Sequence, residues 1–232
     1  MFYLDSSDPK EVEDLFKWGV LSGVTTNPLI ISREMPGADL EETIKAILAV
    51  STGPVSVELT EPTAMAMADE AERRWSWDWD RLCIKVPVND LGLQVIRLLR
   101  TREKRYQKEG SRKELRINAT CIMTPMQALL AAMAGADYVS LFWGRIADLQ
   151  VNPAHVVRLT RESLSGRGYG KVEVIVGSIR QAGDVSCALS AGADIVTVPP
   201  QILRQLVHHP RTAETIREFN EAWEKQQASC KP

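Results

Sequence analysis

Leu82-Cys83-Ile84-Lys85-Val86-Pro87-Val88 is an apolar, β-branched run with one charged residue inside it. Such a run reads as a buried strand, where an unpaired ammonium is expensive. Burial favours the neutral amine, which is the form that attacks a carbonyl. A lysine at a strand end can instead snorkel to water, so the company Lys85 keeps decides between the two. Asp5 follows one apolar run, and Thr25, Thr26 and Asn27 follow another. In Val55-Ser56-Val57-Glu58-Leu59, strict alternation puts Ser56 and Glu58 on one face. Asn118 and Thr120 share a face, as do Ser140 and Phe142, while Ser178 and Arg180 come just after Gly177. Singly, each has an ordinary use: Asp5 and Asn27 suit helix caps, and Glu58 suits a neighbouring cation. Together, a buried lysine, two acids and several hydroxyl or amide donors are what Schiff-base chemistry requires.

The elements that must position these groups alternate along the chain. Strands are predicted at Phe2–Leu4, Gly23–Thr25, Val55–Leu59, Leu82–Val86, Arg116–Thr120, Tyr138–Leu141, Val172–Val176 and Asp194–Val198. Helices are predicted near Pro9–Trp18, Leu40–Val50, Thr63–Arg74, Leu91–Arg100, Met126–Ala134, Pro153–Leu164, Gln181–Ser190 and Ile202–Val207. Asp8-Pro9 and Thr124-Pro125 are helix starts, and Gly135-Ala136-Asp137 and Gly192-Ala193-Asp194 each hand a helix over to a strand. Eight β-then-α units predict an α/β fold, one (β/α)8 TIM-barrel domain over residues 1–232. An open doubly wound sheet is the alternative. The segment 213–227 is left over as an extra C-terminal helix that caps the barrel or docks on a neighbouring subunit. In a barrel the chemistry gathers at the C-terminal ends of the strands. Every strand but the last then delivers a polar group to one mouth.

Arg145 follows the sixth predicted strand and Arg180 the seventh, each beside small residues. Two such guanidiniums suit a phosphate monoester, which arginine binds in bidentate fashion. Gly166-Arg167-Gly168-Tyr169-Gly170 precedes a strand instead of following one, so it reads as a loop and not a nucleotide site. The formal net charge of −2 makes no case for nucleic acid or an anionic membrane surface. The apolar runs are far shorter than a membrane span, and Met1–Asp5 lacks the parts of a signal peptide, so the expected location is cytoplasmic. Cys83, Cys121, Cys187 and Cys230 have no metal-binding spacing and read as free thiols. His155, His208 and His209 have no ligand partner at helical spacing, so no metal is expected.

Phe2-Tyr3-Leu4-Asp5-Ser6, Gly23-Val24-Thr25-Thr26-Asn27-Pro28, Ile84-Lys85-Val86-Pro87, Asn118-Ala119-Thr120, Val139 to Ile146 and Gly177-Ser178-Ile179-Arg180 carry a resemblance. The chain resembles the small members of the transaldolase family, which include the fructose-6-phosphate aldolases. That resemblance implies transfer of a dihydroxyacetone unit from a ketose phosphate to an aldose phosphate, without a cofactor. It implies that Lys85 forms the Schiff base and that Asp5 is the general base on the C4 hydroxyl. Glu58 and Thr120 would shuttle protons through a water. Asn27, Asn118 and Ser140 or Ser178 would hold the fragment's hydroxyls, with all four and also Thr25 and Phe142 in the binding set. Arg145 and Arg180 would take the phosphate. Members that release free dihydroxyacetone tend to carry tyrosine where this chain has Phe142 and glutamine where it has Glu58. Both positions favour transaldolase over aldolase. The resemblance also implies a ring-like homo-oligomer, a pentamer or decamer.

Three features depart from the family pattern. Leu141 stands where proline is usual, and Trp143 stands where a small aliphatic residue is usual. Trp143 either reshapes the acceptor pocket or packs outward on a helix, and a different anionic ketose is kept open as substrate. Trp75-Ser76-Trp77-Asp78-Trp79-Asp80 suggests a subunit contact, because tryptophan is enriched at interface cores. The charged stretch Thr101–Glu114 reads as a solvated helix extension.

Overall fold

The apolar runs pair side by side in chain order. In the computed structural model, which describes residues 1–108 and 114–229, eight strands close into an all-parallel barrel. They are β1 (Phe2–Asp5), β2 (Leu21–Thr25), β3 (Val55–Glu58), β4 (Leu82–Pro87), β5 (Arg116–Ile122), β6 (Tyr138–Phe142), β7 (Glu173–Gly177) and β8 (Ile195–Val198). Pairing of β1 with β8 completes the ring and excludes the open sheet. Leu82, Ile84 and Val86 point outward into the main core, fully sequestered between barrel and helices. Alternation then turns Cys83 and Lys85 inward. Low in the barrel, Tyr3, Ile175 and Ile195 pack with Tyr138 as a separate plug. Gly23 makes room for it, since a Cβ there would lie 2.7 Å from the Tyr3 ring.

The outer layer begins with α1 (Pro9–Phe16), α2 (Pro28–Glu34), α3 (Leu40–Val50), α4 (Ala64–Trp75), α5 (Asp90–Lys108) and α6 (Pro125–Ala134). It continues with α7 (Trp143–Asp148), α8 (Pro153–Ser165), α9 (Ala182–Ser190), α10 (Pro200–Val207) and α11 (Pro210–Ser229). The predicted starts are real caps. Asp8 accepts from the Lys10 N–H, and Thr124 with Gln127 closes a capping box before a left-handed Gly135. Two short helices at the mouth are additions to the predicted set. Asn27, one of the helix caps the sequence offered, caps α2 with Pro28 in its first turn. α7 has no side-chain cap and left no signal.

The tryptophan cluster folds onto its own chain and is not free to be a subunit contact in full. Trp75 is 2% exposed, its ring meets Trp79 edge-on at 4.6 Å, and its Nε1–H donates to the Trp79 carbonyl at 3.0 Å. Trp77 and Trp79 are partly buried against the same core. The charged extension is helical to Lys108 but is not simply solvated. Arg102 pairs with Asp69 and Glu72 of α4, and the buried Glu103 accepts from the Leu115 N–H. Residues 109–113 of the extension, including Arg112 and Lys113, lie outside the described residues, as does Cys230. α11 buries none of its residues, and Ile216, Phe219 and Trp223 recur on one face at helical spacing, all exposed. Among the described residues, no helix is long and apolar enough to cross a membrane.

Candidate active site

Register sets the centre of the site. Glu58 of β3 sits beside Lys85 of β4, which sits beside Asn118 of β5. Three adjacent strands therefore present these side chains inward at one level. Lys85 is 4% exposed. Its Nζ donates to the Thr26 carbonyl at 3.0 Å and lies 3.2 Å from Glu58 Oε2. A buried charge persists only when paired in this way, and the same carboxylate is within proton-transfer reach of the amine. Cys83 faces inward two residues earlier, but burial pushes its thiol up to about 12, so it is no rival nucleophile.

Asp5, at the end of β1, accepts from Thr25 Oγ1 at 2.8 Å. That hydroxyl lies 2.6 Å from Thr197 Oγ1 of β8. Burial raises the Asp5 carboxyl above its ordinary range, although the Lys85 charge and the Thr25 hydrogen bond pull it down. An acid balanced in this way is suited to accept and return a proton.

These groups line a cavity of about 620 Å³ at the C-terminal ends of the strands. Its wall contains Asp5, Thr25, Asn27, Glu58, Lys85, Ser140, Phe142, Arg145, Ser178 and Arg180, ten of the twelve residues expected from the sequence. Asn118 and Thr120 are not in that wall. Asn118 lies behind it, accepting from Ser140 Oγ at 2.7 Å and donating to Ser56 Oγ at 3.3 Å. Thr120 Oγ1 is buried and, among the described residues, has no hydrogen-bond partner. The register of β5 against β6 shifts between Ala119 and Ile122, where Cys121 adopts φ +63°. That irregularity breaks simple alternation and puts Cys121 in the wall.

Two arginines flank the side of the cavity formed by β6 and β7. Arg145 stands on α7 with its guanidinium carbon 5.9 Å from the Phe142 ring centroid. Arg180 follows β7, after Ser178 in a left-handed conformation at φ +58°. Trp143 does not reshape this pocket: it is 6% exposed within the core between barrel and helices. The sequence analysis missed Thr197, Arg33 and Cys121, all of which line the cavity. Thr197 had a visible signal, as the polar residue in Asp194-Ile195-Val196-Thr197-Val198. Arg33 had none, because it depends on α2 folding over the mouth. Among the described residues no cluster of histidine, cysteine or acidic side chains is arranged to hold a metal ion, and Cys83, Cys121 and Cys187 are unbridged.

A family model described as transaldolase/fructose-6-phosphate aldolase matches residues 2–231. A protein of Pelotomaculum thermopropionicum named "Probable transaldolase" is 36% identical over 223 residues, covering 96% of this chain and 97% of that one. A "Probable transaldolase" of Lactiplantibacillus plantarum is 34% identical over 232 residues, covering 99% of each. Among solved structures, a mandelate oxidase mutant with a monooxide FMN adduct matches with a TM-score of 0.58 at 19% identity. That match covers 86% of this chain and 63% of the other, less than two thirds of its length, and is a likeness of fold alone.

Proposed function

Since the chain belongs to the transaldolase/fructose-6-phosphate aldolase family, we propose that it is a transaldolase working through a Schiff base on Lys85. The observation that carries this reading is the pairing in one cavity of a buried Lys85 beside Glu58 with an Asp5 held by Thr25. Glu58 takes a proton from Lys85, and the freed amine adds to the C2 carbonyl of fructose 6-phosphate or sedoheptulose 7-phosphate. Loss of water then leaves an iminium, with Glu58 moving the protons. The Thr120 hydroxyl, with no hydrogen-bond partner among the described residues, suits a water that serves the same transfers. Asp5 takes the proton of the C4 hydroxyl, the C3–C4 bond breaks, and its electron pair flows into the iminium. An aldose phosphate leaves and a three-carbon enamine stays on Lys85.

The enamine then adds to the aldehyde carbon of the acceptor, and the proton held on Asp5 goes to the new C4 oxygen. Water releases the product from Lys85. Ser140, backed by Asn118, together with Asn27 and Ser178, holds the fragment's hydroxyls. Arg145 and Arg180 hold the phosphate. Phe142 in the wall keeps a hydroxyl away from the enamine, which favours waiting for an acceptor over hydrolysis. The enzyme is read as cytoplasmic, the location expected from its sequence. It is a homo-oligomer in which the apolar face of α11 docks on a neighbouring copy, and a ring-like pentamer or decamer follows the resemblance.

The test is release of glyceraldehyde 3-phosphate from fructose 6-phosphate, with and without erythrose 4-phosphate. Acceptor-dependent release with sedoheptulose 7-phosphate appearing is expected. Steady release without acceptor, with dihydroxyacetone accumulating, would make it an aldolase. Borohydride reduction with either ketose that left Lys85 unmodified would point to a barrel that only binds sugar phosphates.

A further inference from the structure

Of the two guanidiniums assigned to the phosphate, one is already held by the protein. Arg180 Nη1 and Nη2 donate to Asp148 Oδ1 and Oδ2 at 2.6 and 2.7 Å, an end-on fork reaching the last residue of α7. Both side chains are about half exposed, at 52% and 54%. An ion pair so open to water adds little to fold stability. Its two-point geometry at the rim of the cavity therefore calls for another explanation.

The surroundings give one. A Cβ at Gly144 would fall 2.5 Å from Arg180 Nε and 3.0 Å from its Cδ, so the arginine lies directly across that glycine. The Gly144 N–H donates to the Ser178 carbonyl at 3.0 Å, tying the start of α7 to the segment that carries Arg180. Arg145 stands on the same helix, and among the described residues it has no salt bridge. Gly144 thus opens a bed for the Arg180 side chain and Asp148 closes it.

We propose that Asp148 is a positioning residue for the phosphate site, holding Arg180 in its bed before substrate arrives. This rests on the reading that Arg180 binds the phosphate. The fork uses two of the five guanidinium N–H groups, so three remain for an anion. A long side chain already ordered by Asp148 loses its rotamer freedom on folding and not on binding. The opposite role, a carboxylate competing with phosphate for Arg180, predicts the reverse effect.

The variants are Asp148→Ala, Asp148→Asn, Arg180→Ala and the Asp148→Ala/Arg180→Ala double. KM and kcat for fructose 6-phosphate, kcat/KM for unphosphorylated fructose and the inhibition constant of inorganic phosphate are read for each. Asp148→Ala should raise the KM for fructose 6-phosphate and the phosphate inhibition constant about fivefold, with kcat changed less than about twofold. Asp148→Asn, which keeps one acceptor oxygen, should recover part of the loss. Arg180→Ala should raise both constants further, and adding Asp148→Ala to it should change neither. Tighter phosphate binding in Asp148→Ala would overturn the proposal in favour of competition. Equal losses with fructose would make the role structural, and additive losses in the double would make Asp148 independent of Arg180. Should Arg180→Ala itself leave phosphate inhibition unchanged, the phosphate reading falls and this inference falls with it. A null result in Asp148→Ala alone overturns only the inference.

Discussion

In the proposed reaction Asp5 and Lys85 divide the chemistry between them, and the environment of Asp5 can be probed through its protonation. Its carboxyl is raised by burial more than Lys85 and Thr25 lower it. Below the carboxyl range both folded and unfolded chains keep this acid neutral. As pH rises, the unfolded chain ionises first, so the buried acid increasingly favours unfolding. Asp5→Asn should therefore raise the melting temperature at neutral pH, with the gain shrinking as pH falls toward the ordinary carboxyl value of about 4 and gone below it. A gain of the same size at every pH would contradict the assigned shift. In the same variant turnover should fall by on the order of 10²-fold or more, because the amide cannot accept the C4 proton. Borohydride should still trap fructose 6-phosphate on Lys85, since imine formation precedes that step. Phe142→Tyr should raise the release of free dihydroxyacetone, measured without acceptor. No change there would remove Phe142 from the choice between the two reactions. The identities of Lys85, Asp5 and Glu58 were legible because each interrupts or ends an apolar run. Trp143 was not, because which way a residue at the start of an uncapped six-residue helix faces depends on what packs around it.

Two short helices finish the mouth that the strands begin. α2 is held by the Asn27 side chain, which accepts from the Ile30 N–H at 3.0 Å while lining the cavity. Asn27 is thus both the helix cap and the wall residue, two uses that the sequence left as alternatives. Asn27→Ala should cost about 1 kcal/mol of stability in denaturant unfolding. Asn27→Ser, which keeps the cap, should restore stability and leave a defect in turnover. If the serine variant regains full activity, Asn27 contributes only as a cap. β5 shows where simple alternation ends. A single left-handed residue, Cys121, shifts the register after Ala119, and a β-branched or thiol side chain gives no local warning of such a bulge. Where the strands stay regular, as at β3 and β4, face assignment from alternation agrees with the structure residue by residue.

At the scale of the molecule, α11 stands apart, since nothing in it is buried by the barrel. Removing residues 210–232 should leave the melting of the barrel within a few degrees of its starting value. The same truncation should lower the assembly state in sedimentation, and an unchanged state would mean that α11 is not the contact. The sequence by itself determined the alternation of eight strands with helices, the inward lysine and acids, and the two arginines. Those follow from local rules: a period of two along each strand, caps and breakers at each end, and the cost of a charge in an apolar run. Only the tertiary structure decided what depends on registers between distant segments. Closure of β8 on β1 brought Thr197 to Thr25, folding of α2 over the mouth brought Arg33 to the cavity, and the packing of α7 against β7 laid Arg180 across Gly144 into the reach of Asp148. No short-range pattern encodes those meetings, because each is set by how whole elements pack and not by the residues beside it.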